Sequence, residues 1–482
     1  MSYMKNILYF ILTFIVIYII FSKVSQVIPY NGDDWRYLSQ YRSLLPSIKE
    51  WNPARIFPEI MFPALGYISS QIVNVIVGNY IESISLTFTC FVALFVTVLC
   101  ASIYLFSQNF IQDYKTSMFA VLLFVILSFF MFKSKNQENV YLFYSETLTA
   151  MTYYTMANIL NSIIAVFILY GNFFNTRKFN DKYYAIGIIV FVIYLSQFSL
   201  TFSSIIAASC AFSTILLRVL NENHVGMLNK VRSYLQHLTL FDGALFFILA
   251  CWLSAACFDM MGARYASLTV HGFNFMAAFN SFYDLLYSMR LVMQGITLTS
   301  VFCTIFLLMY RKSKKIYSQR DTITGQIFFI VCLSSIITFS LYILICAKTD
   351  PCFASRISAV YGIFFFQTLL TVFCIVYLLA TIPVLKIFAP ILLCFLFIET
   401  TNSEKTWATQ STPDQRAIVD KWIADARQAD ANGEKSVTII VPKAEWPHPK
   451  EWFGDVLGHT LFSHGITSRR MHISLREDIS AQ

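Results

Sequence analysis

Asn6-Ile7-Leu8-Tyr9-Phe10-Ile11-Leu12-Thr13-Phe14-Ile15-Val16-Ile17-Tyr18-Ile19-Ile20-Phe21-Ser22-Lys23-Val24 carries one charge in nineteen residues, and it stands near the end. Crossing the hydrocarbon core of a bilayer takes about 20 mostly apolar residues. The run follows Met1-Ser2-Tyr3-Met4-Lys5 and so resembles a signal peptide. Lys23 closes it, however, and no small-residue cleavage site follows, so it reads as a retained span and signal anchor.

The rest of the chain repeats this texture. Of 482 residues, 57% are hydrophobic, 17% aromatic and 13% charged, with 47 Phe and 27 Tyr. Soluble globular chains carry roughly a quarter charged residues. Half that value, spread over repeated apolar runs, excludes a soluble enzyme, a disordered chain, a collagen and a small disulfide scaffold. Further runs centre near Ala93, Ile126, Ile163, Val190, Ala208, Phe247, Thr299, Ser335, Leu369 and Leu392. The expected fold class is a polytopic α-helical membrane protein with about 11 transmembrane helices. The run Ile60 to Tyr80 contains Pro63 and Gly66, and is expected to be interfacial or re-entrant.

Charge divides the chain. The last 82 residues hold 10 Lys+Arg and 11 Asp+Glu, against 25 and 16 in the first 400. The expected domains are therefore a membrane domain, 1–400, and a small aqueous α/β domain, 401–482. In the second, Pro413 opens a helix to Ala429 that Asn432-Gly433 ends. Val437 to Val441 reads as a strand, Trp452 to Phe462 as a helix and Met471 to Leu475 as a second strand. All 11 cysteines lie in the first part, without a CxxC, and Cys346 and Cys352 are expected to stay unpaired.

With the N-terminus cytoplasmic, one set of loops carries Lys115, Arg177, Lys178, Lys182, Arg218, Lys230, Arg232, Arg311, Lys312, Lys314, Lys315, Arg320 and Lys386. These short basic loops belong inside. Asp33, Asp34, Glu50, Glu59, Glu138, Glu146, Asp259 and Asp350 fall on the other side. An odd number of spans then puts the tail outside, in the periplasm of a Gram-negative inner membrane. No Lys/Arg stripe interleaved with aromatics points to nucleic acid.

The first outer loop, about 25–84, concentrates the chemistry: Asn31-Gly32-Asp33-Asp34-Trp35-Arg36-Tyr37, then Trp51-Asn52-Pro53-Ala54-Arg55-Ile56-Phe57-Pro58-Glu59. A carboxylate from Asp33 or Asp34 can act as general base toward a sugar hydroxyl, and its neighbour can raise its pKa. Alternatively the pair caps the next helix. Arg55, held between prolines, can bind a phosphate or carboxylate, or pair with Glu59 or Glu50. Arg36 adds a charge beside the acids. Trp35, Trp51 and Tyr37 can stack on sugar rings or anchor at the interface. Glu146, at an outer helix end, is either functional or a hydrated loop acid. Arg290 and Arg356 stand at outer helix mouths, where Arg356 can meet a lipid phosphate or snorkel. The histidines of the tail, His448, His459, His464 and His472, read as solvated or core-edge. No metal-ligand, Walker A or GxGxxG pattern implies a cofactor, and no DxD motif on an inner loop supports a nucleotide-sugar donor.

Asp33 to Tyr37 followed by Trp51 to Glu59 resembles the first outer loop of the bacterial and phage-borne serotype-converting O-antigen glucosyltransferases. The layout of spans and a short outer tail is similar too. The resemblance implies a GT-C-type inverting transferase. Its donor would be undecaprenyl-phosphate glucose, supplied by a polyprenyl-phosphate glucose synthase and a flippase. Its acceptor would be lipid-linked O-antigen. Asp33 or Asp34 matches the expected catalytic acid, and Arg55 and Glu59 match the motif. An O-antigen polymerase or another GT-C transferase shares this topology. A polysaccharide or lipid transporter would show two related halves, and a non-catalytic scaffold would tolerate loss of Asp33 and Asp34.

Overall fold

The computed structural model describes residues 2–24, 26–132, 141–143, 145, 147–174, 183–269, 272–401, 412–441 and 452–477. Glu146, Glu138, His448 and the basic group at 177–182 lie outside them. The chain opens with α1 (Ser2–Ile19), extended by a π turn at Ile20–Val24, and then the short α2 (Gly32–Ser39). Next come α3 (Ile56–Ile68), a π turn at Ser69–Val73, α4 (Asn74–Val77), α5 (Tyr80–Ile111) and α6 (Tyr114–Phe130). One turn of helix, α7 (Leu148–Ala150), runs through a π segment, Met151–Met156, into α8 (Ala157–Phe174). Then follow α9 (Tyr183–Gln197), α10 (Thr201–Leu220), α11 (Met227–Gln236), α12 (Leu240–Met260), α13 (Ala263–Leu268) and α14 (Phe275–Tyr287). The bundle finishes with α15 (Leu291–Ser313), α16 (Gln319–Lys348), α17 (Ile357–Thr381) and α18 (Ala389–Thr401).

Among the described residues, nine helical stretches are long and apolar enough to cross a membrane. The protein is a polytopic helical membrane protein. Eight of the nine coincide with expected spans. Around Ile126, Val190 and Leu392 the described parts of the helices have 17, 15 and 13 residues. Outward faces are apolar: Phe302, Phe306 and Met309 of α15 are each about two-thirds exposed. Such a face is at home against lipid and not against water.

The ninth stretch, Ile56–Val77, has the length and composition of a span. Its path is that of a returning helix. The Phe57 amide donates to the Phe198 carbonyl at the turn between α9 and α10. From there α3 climbs antiparallel along the first half of α5, with Phe57 against Phe95 and Phe62 against Phe88. Val77 then meets Gly78, and two residues later α5 begins. Both ends thus adjoin segments that the sequence reading expects on the outer side.

Described members of the two loop sets separated by charge lie at opposite ends of α5, a helix of 32 residues and so nearly 50 Å long. At its last turn, Lys386 pairs with Asp113 at 2.6 Å and Arg320 donates to the Ile111 carbonyl. The start of α1 is there too, with Asn6 bonded to Tyr104 and Tyr9 to the Met118 carbonyl. At its first turn stand the outer loop and the tail.

The tail follows its expected elements closely: α19 (Thr412–Ala431), β1 (Ser436–Val441), α20 (Trp452–Ser463) and β2 (His472–Glu477). Gly433 takes φ +81° just past α19, the left-handed stop that glycine allows. The strands pair in parallel, Ser436 opposite His472 through Val441 opposite Glu477, with α20 as the crossover. Gly454 and Gly458 place α20 directly on the β2 backbone; a Cβ on either would fall within 2.1 Å of a strand carbonyl oxygen. The core of this unit is not separate. Trp422, Phe453, Leu457 and Ile473 belong to one buried cluster with Trp35, Leu38 and Tyr80. Cys346 and Cys352 are unpaired, as are the other cysteines.

Candidate functional site

Asn31 caps α2: its side chain accepts from the Asp34 amide at 3.0 Å, and Asp34 Oδ2 accepts in return from Asn31 at 3.4 Å. The Tyr30 amide donates to the same oxygen at 3.1 Å. Asp34 Oδ1 takes the amide and the hydroxyl of Thr149, at 2.7 and 2.6 Å. Asp34 is fully buried, and burial pushes its carboxyl up to about 6 against those hydrogen bonds. The capping alternative therefore describes Asp34, which ties α2 to α7. Asp33, one residue earlier in the same first turn, is exposed.

One turn beyond Thr149, Tyr153 enters a second polar centre. Glu59 is almost buried and pairs with Arg42 at 2.8 Å, with Arg42 itself covered. Its other oxygen accepts from Asn52 at 2.8 Å and from the Tyr153 hydroxyl at 3.1 Å. Arg42 also donates to the carbonyls of Asn52 and Pro53, at 2.6 and 3.0 Å. The Trp51–Glu59 loop is thus folded around Arg42, and Glu59 closes it. Tyr37 packs on Tyr153 with ring centroids 5.0 Å apart.

Arg55 does not pair with Glu59, because Arg42 has taken that carboxylate. Arg55 is 9% exposed, its guanidinium lies 5.9 Å from the Tyr153 ring, and its Nε is buried without a hydrogen-bond partner. Beside it is Arg264 of α13, bonded to Asn52 Oδ1 at 3.4 Å. The Arg55 charge, and then burial, hold Arg264 below its ordinary value. Among the described residues neither arginine has a carboxylate within ion-pair distance. Two neighbouring guanidinium groups without a counter-ion repel one another, and they favour an added anion.

The other expected residues lie apart from this pair. Trp35 is a correction: it is fully buried near Tyr80, so its ring is packing and has no face open to a sugar. Trp51 is 46% exposed in the loop. Arg36 bonds Gln40 at 3.2 Å and lies over the Tyr37 ring. Arg290 donates to the Phe132 carbonyl at 3.1 Å, joining α15 to the end of α6. Arg356 is exposed and lies over Phe353 at the start of α17. Glu59 touches protein on both oxygens. Arg42, Tyr153 and Arg264 were not singled out from the sequence. The available signal was their side: Arg42 and Arg264 are cations among the segments expected outside, where the positive-inside rule leaves few.

No protein-family model matches the chain, and no curated protein matches it. Among solved structures, it is similar to the crystal structure of an Archaeoglobus fulgidus oligosaccharyltransferase in complex with zinc and sulfate. That match has TM-score 0.43 and 12% identity, and covers 95% of this chain and 61% of the other. It is similar also to the archaeal oligosaccharyltransferase AglB from Archaeoglobus fulgidus in complex with an inhibitory peptide and a dolichol-phosphate. There the TM-score is 0.37, with 12% identity, 98% of this chain and 64% of the other. The chain spans less than two-thirds of the length of either protein.

Proposed function

We propose that this protein is an inverting, polyprenol-dependent glycosyltransferase of GT-C type. It moves glucose from undecaprenyl-phosphate glucose to a hydroxyl of lipid-linked O-antigen, at the periplasmic face of the inner membrane. The observation that carries the reading is the neighbouring pair of buried Arg55 and half-buried Arg264 in the first-loop centre, without a carboxylate partner among the described residues. A phosphate monoester leaving group is an anion that two guanidinium groups hold well.

In this reading Asp33 is the general base, since it is exposed while Asp34 is occupied by four protein hydrogen bonds. The acceptor oxygen attacks the anomeric carbon as its proton passes to Asp33. The bond from that carbon to the phosphate oxygen breaks, and polyprenyl phosphate leaves with the electron pair, held by Arg55 and Arg264. Trp51 offers an exposed ring for a sugar. Arg36, Arg290, Arg356 and Glu146 are acceptor or lipid contacts in this proposal. The membrane part supplies the groove for the lipid chain. The synthase and flippase supply the donor.

The test is O-antigen composition and linkage, by mass spectrometry and NMR. It compares a host that makes the polyprenyl-glucose donor with and without this gene. A new glucosyl branch, lost on Arg55→Ala, supports the reading. An unchanged repeat unit, with the protein shown to be inserted, overturns it.

A further inference from the structure

Helix α2 has only eight residues, too short to hold its own shape in water. Its first turn is fixed by Asp34 and Thr149. Its Trp35 and Leu38 carbonyls, the second without a partner inside the helix, are met by the tail, more than 400 residues away. The Thr460 hydroxyl donates to the Trp35 carbonyl at 2.7 Å and lies 2.9 Å from the Ser39 hydroxyl. His464 Nε2 lies 3.1 Å from the Leu38 carbonyl, and its Nδ1 2.6 Å from the Tyr80 hydroxyl. A carbonyl only accepts, so Nε2 carries the proton, and the neutral ring accepts from Tyr80 at Nδ1. Gln71 donates to the His464 carbonyl at 3.1 Å, and Tyr67 meets the imidazole edge-on. Thr460, His464 and the partners on α2 are all buried.

We propose that α20 is a fixed clamp on α2, and that Thr460 and His464 are positioning residues for the carboxylate at Asp33. A tail that served as a lid over the acceptor would need a face that opens; this contact is a continuous buried core. The inference rests on the reading of α2 as the carrier of the base, and its first measurement does not.

That measurement is hydrogen exchange of the amides of α2 in the full chain, purified without substrate. His464→Ala, which removes the bond to the Leu38 carbonyl, and Thr460→Val, which removes those to the Trp35 carbonyl and the Ser39 hydroxyl, should each speed exchange through Leu38 and Ser39 about tenfold. His464→Gln, whose amide can both donate and accept, should restore protection. The second measurement is glucosyl transfer from undecaprenyl-phosphate glucose. The alanine and valine variants should lower turnover at least tenfold with little change in donor KM, and His464→Gln should recover most of it. Unchanged exchange in both variants overturns the clamp. Faster exchange with normal turnover shows the clamp to be structural only and overturns the positioning role. Faster exchange in a protein whose wild type transfers no glucose leaves the clamp standing and overturns the proposed function. If His464→Ala does not insert, Thr460→Val, which removes one hydroxyl, carries the same comparison.

Discussion

Asp34 and Arg264 show how much two adjacent environments decide. Burial raises Asp34 to about 6, above its ordinary 3.8. Between those values the folded state binds the proton more tightly than the unfolded chain does. Its contribution to stability is therefore full below about 3.8 and is lost as pH rises through about 6. Asp34→Asn keeps the shape but supplies one acceptor oxygen where two are used. It should cost about 1–3 kcal/mol at neutral pH and flatten the stability profile between pH 4 and 6, read by thermal unfolding in detergent. Asp33→Asn should leave unfolding unchanged and lower transfer by about 10²-fold or more. Arg264 makes the opposite kind of prediction. Removing it relieves repulsion with Arg55, so Arg264→Gln should hold or raise the melting temperature while transfer collapses. A fall in both would make Arg264 a structural residue.

At the scale of elements, one device recurs at the starts of two helices. Thr239 and Ser318 cap α12 and α16, and in each the residue three later, Asp242 or Asp321, completes a capping box. Each aspartate also takes an arginine from the end of an earlier helix, Arg218 or Arg311, at 3.0 Å. Each accepts a tyrosine hydroxyl at 2.6 Å, from Tyr234 or Tyr377. A buried carboxylate thus satisfies a helix start, a helix end and a neighbouring side chain together. Asp321→Ala leaves Arg311, Tyr377 and the Ser318 amide and hydroxyl without this acceptor. It should destabilise the protein by about 3 kcal/mol, against about 1 for a cap alone, as a thermal or denaturant midpoint will record. The S/T-x-x-D pattern was present in the sequence; that its aspartate would also be the ion-pair partner of a remote arginine was not visible there.

For the whole molecule, the consequence is that the first outer loop and the tail form one body. Tyr30 stacks on Trp422 with centroids 6.0 Å apart, and Arg416 pairs with Glu82 at 2.6 Å. His464 sits at the middle of this contact, and burial holds it down to about 4 from an ordinary 6.5. Tyr80, Tyr67 and His459 are the titratable groups around it. The folded state binds fewer protons than the unfolded chain in that window. Stability from this histidine is full above about 6.5 and is lost as pH falls toward 4, to an extent of about 3 kcal/mol. Between pH 4 and 6 it opposes Asp34 of α2, the helix that His464 contacts. Protease sensitivity of the tail should therefore rise as pH falls from 6.5 toward 4 in the wild type, and His464→Gln should remove that dependence.

The sequence by itself determined the class of protein, most spans, and the four elements of the tail. Those follow from local content: apolar length, loop charge, β-branched runs, and a glycine after a helix. It also marked the loop where the candidate chemistry gathers, since Asp33 to Tyr37 and Trp51 to Glu59 stand out in composition. Only the tertiary structure decided which side chains of that loop are used up. Asp34 went to Thr149, Glu59 to Arg42 and Trp35 to the core, which leaves Asp33 open and Arg55 beside Arg264. Partner choice of this kind depends on contacts between residues tens to hundreds of positions apart. Thr149, Arg264 and His464 carry no local mark of where they will meet the first loop, because burial and neighbouring charge exist only once the helices have packed.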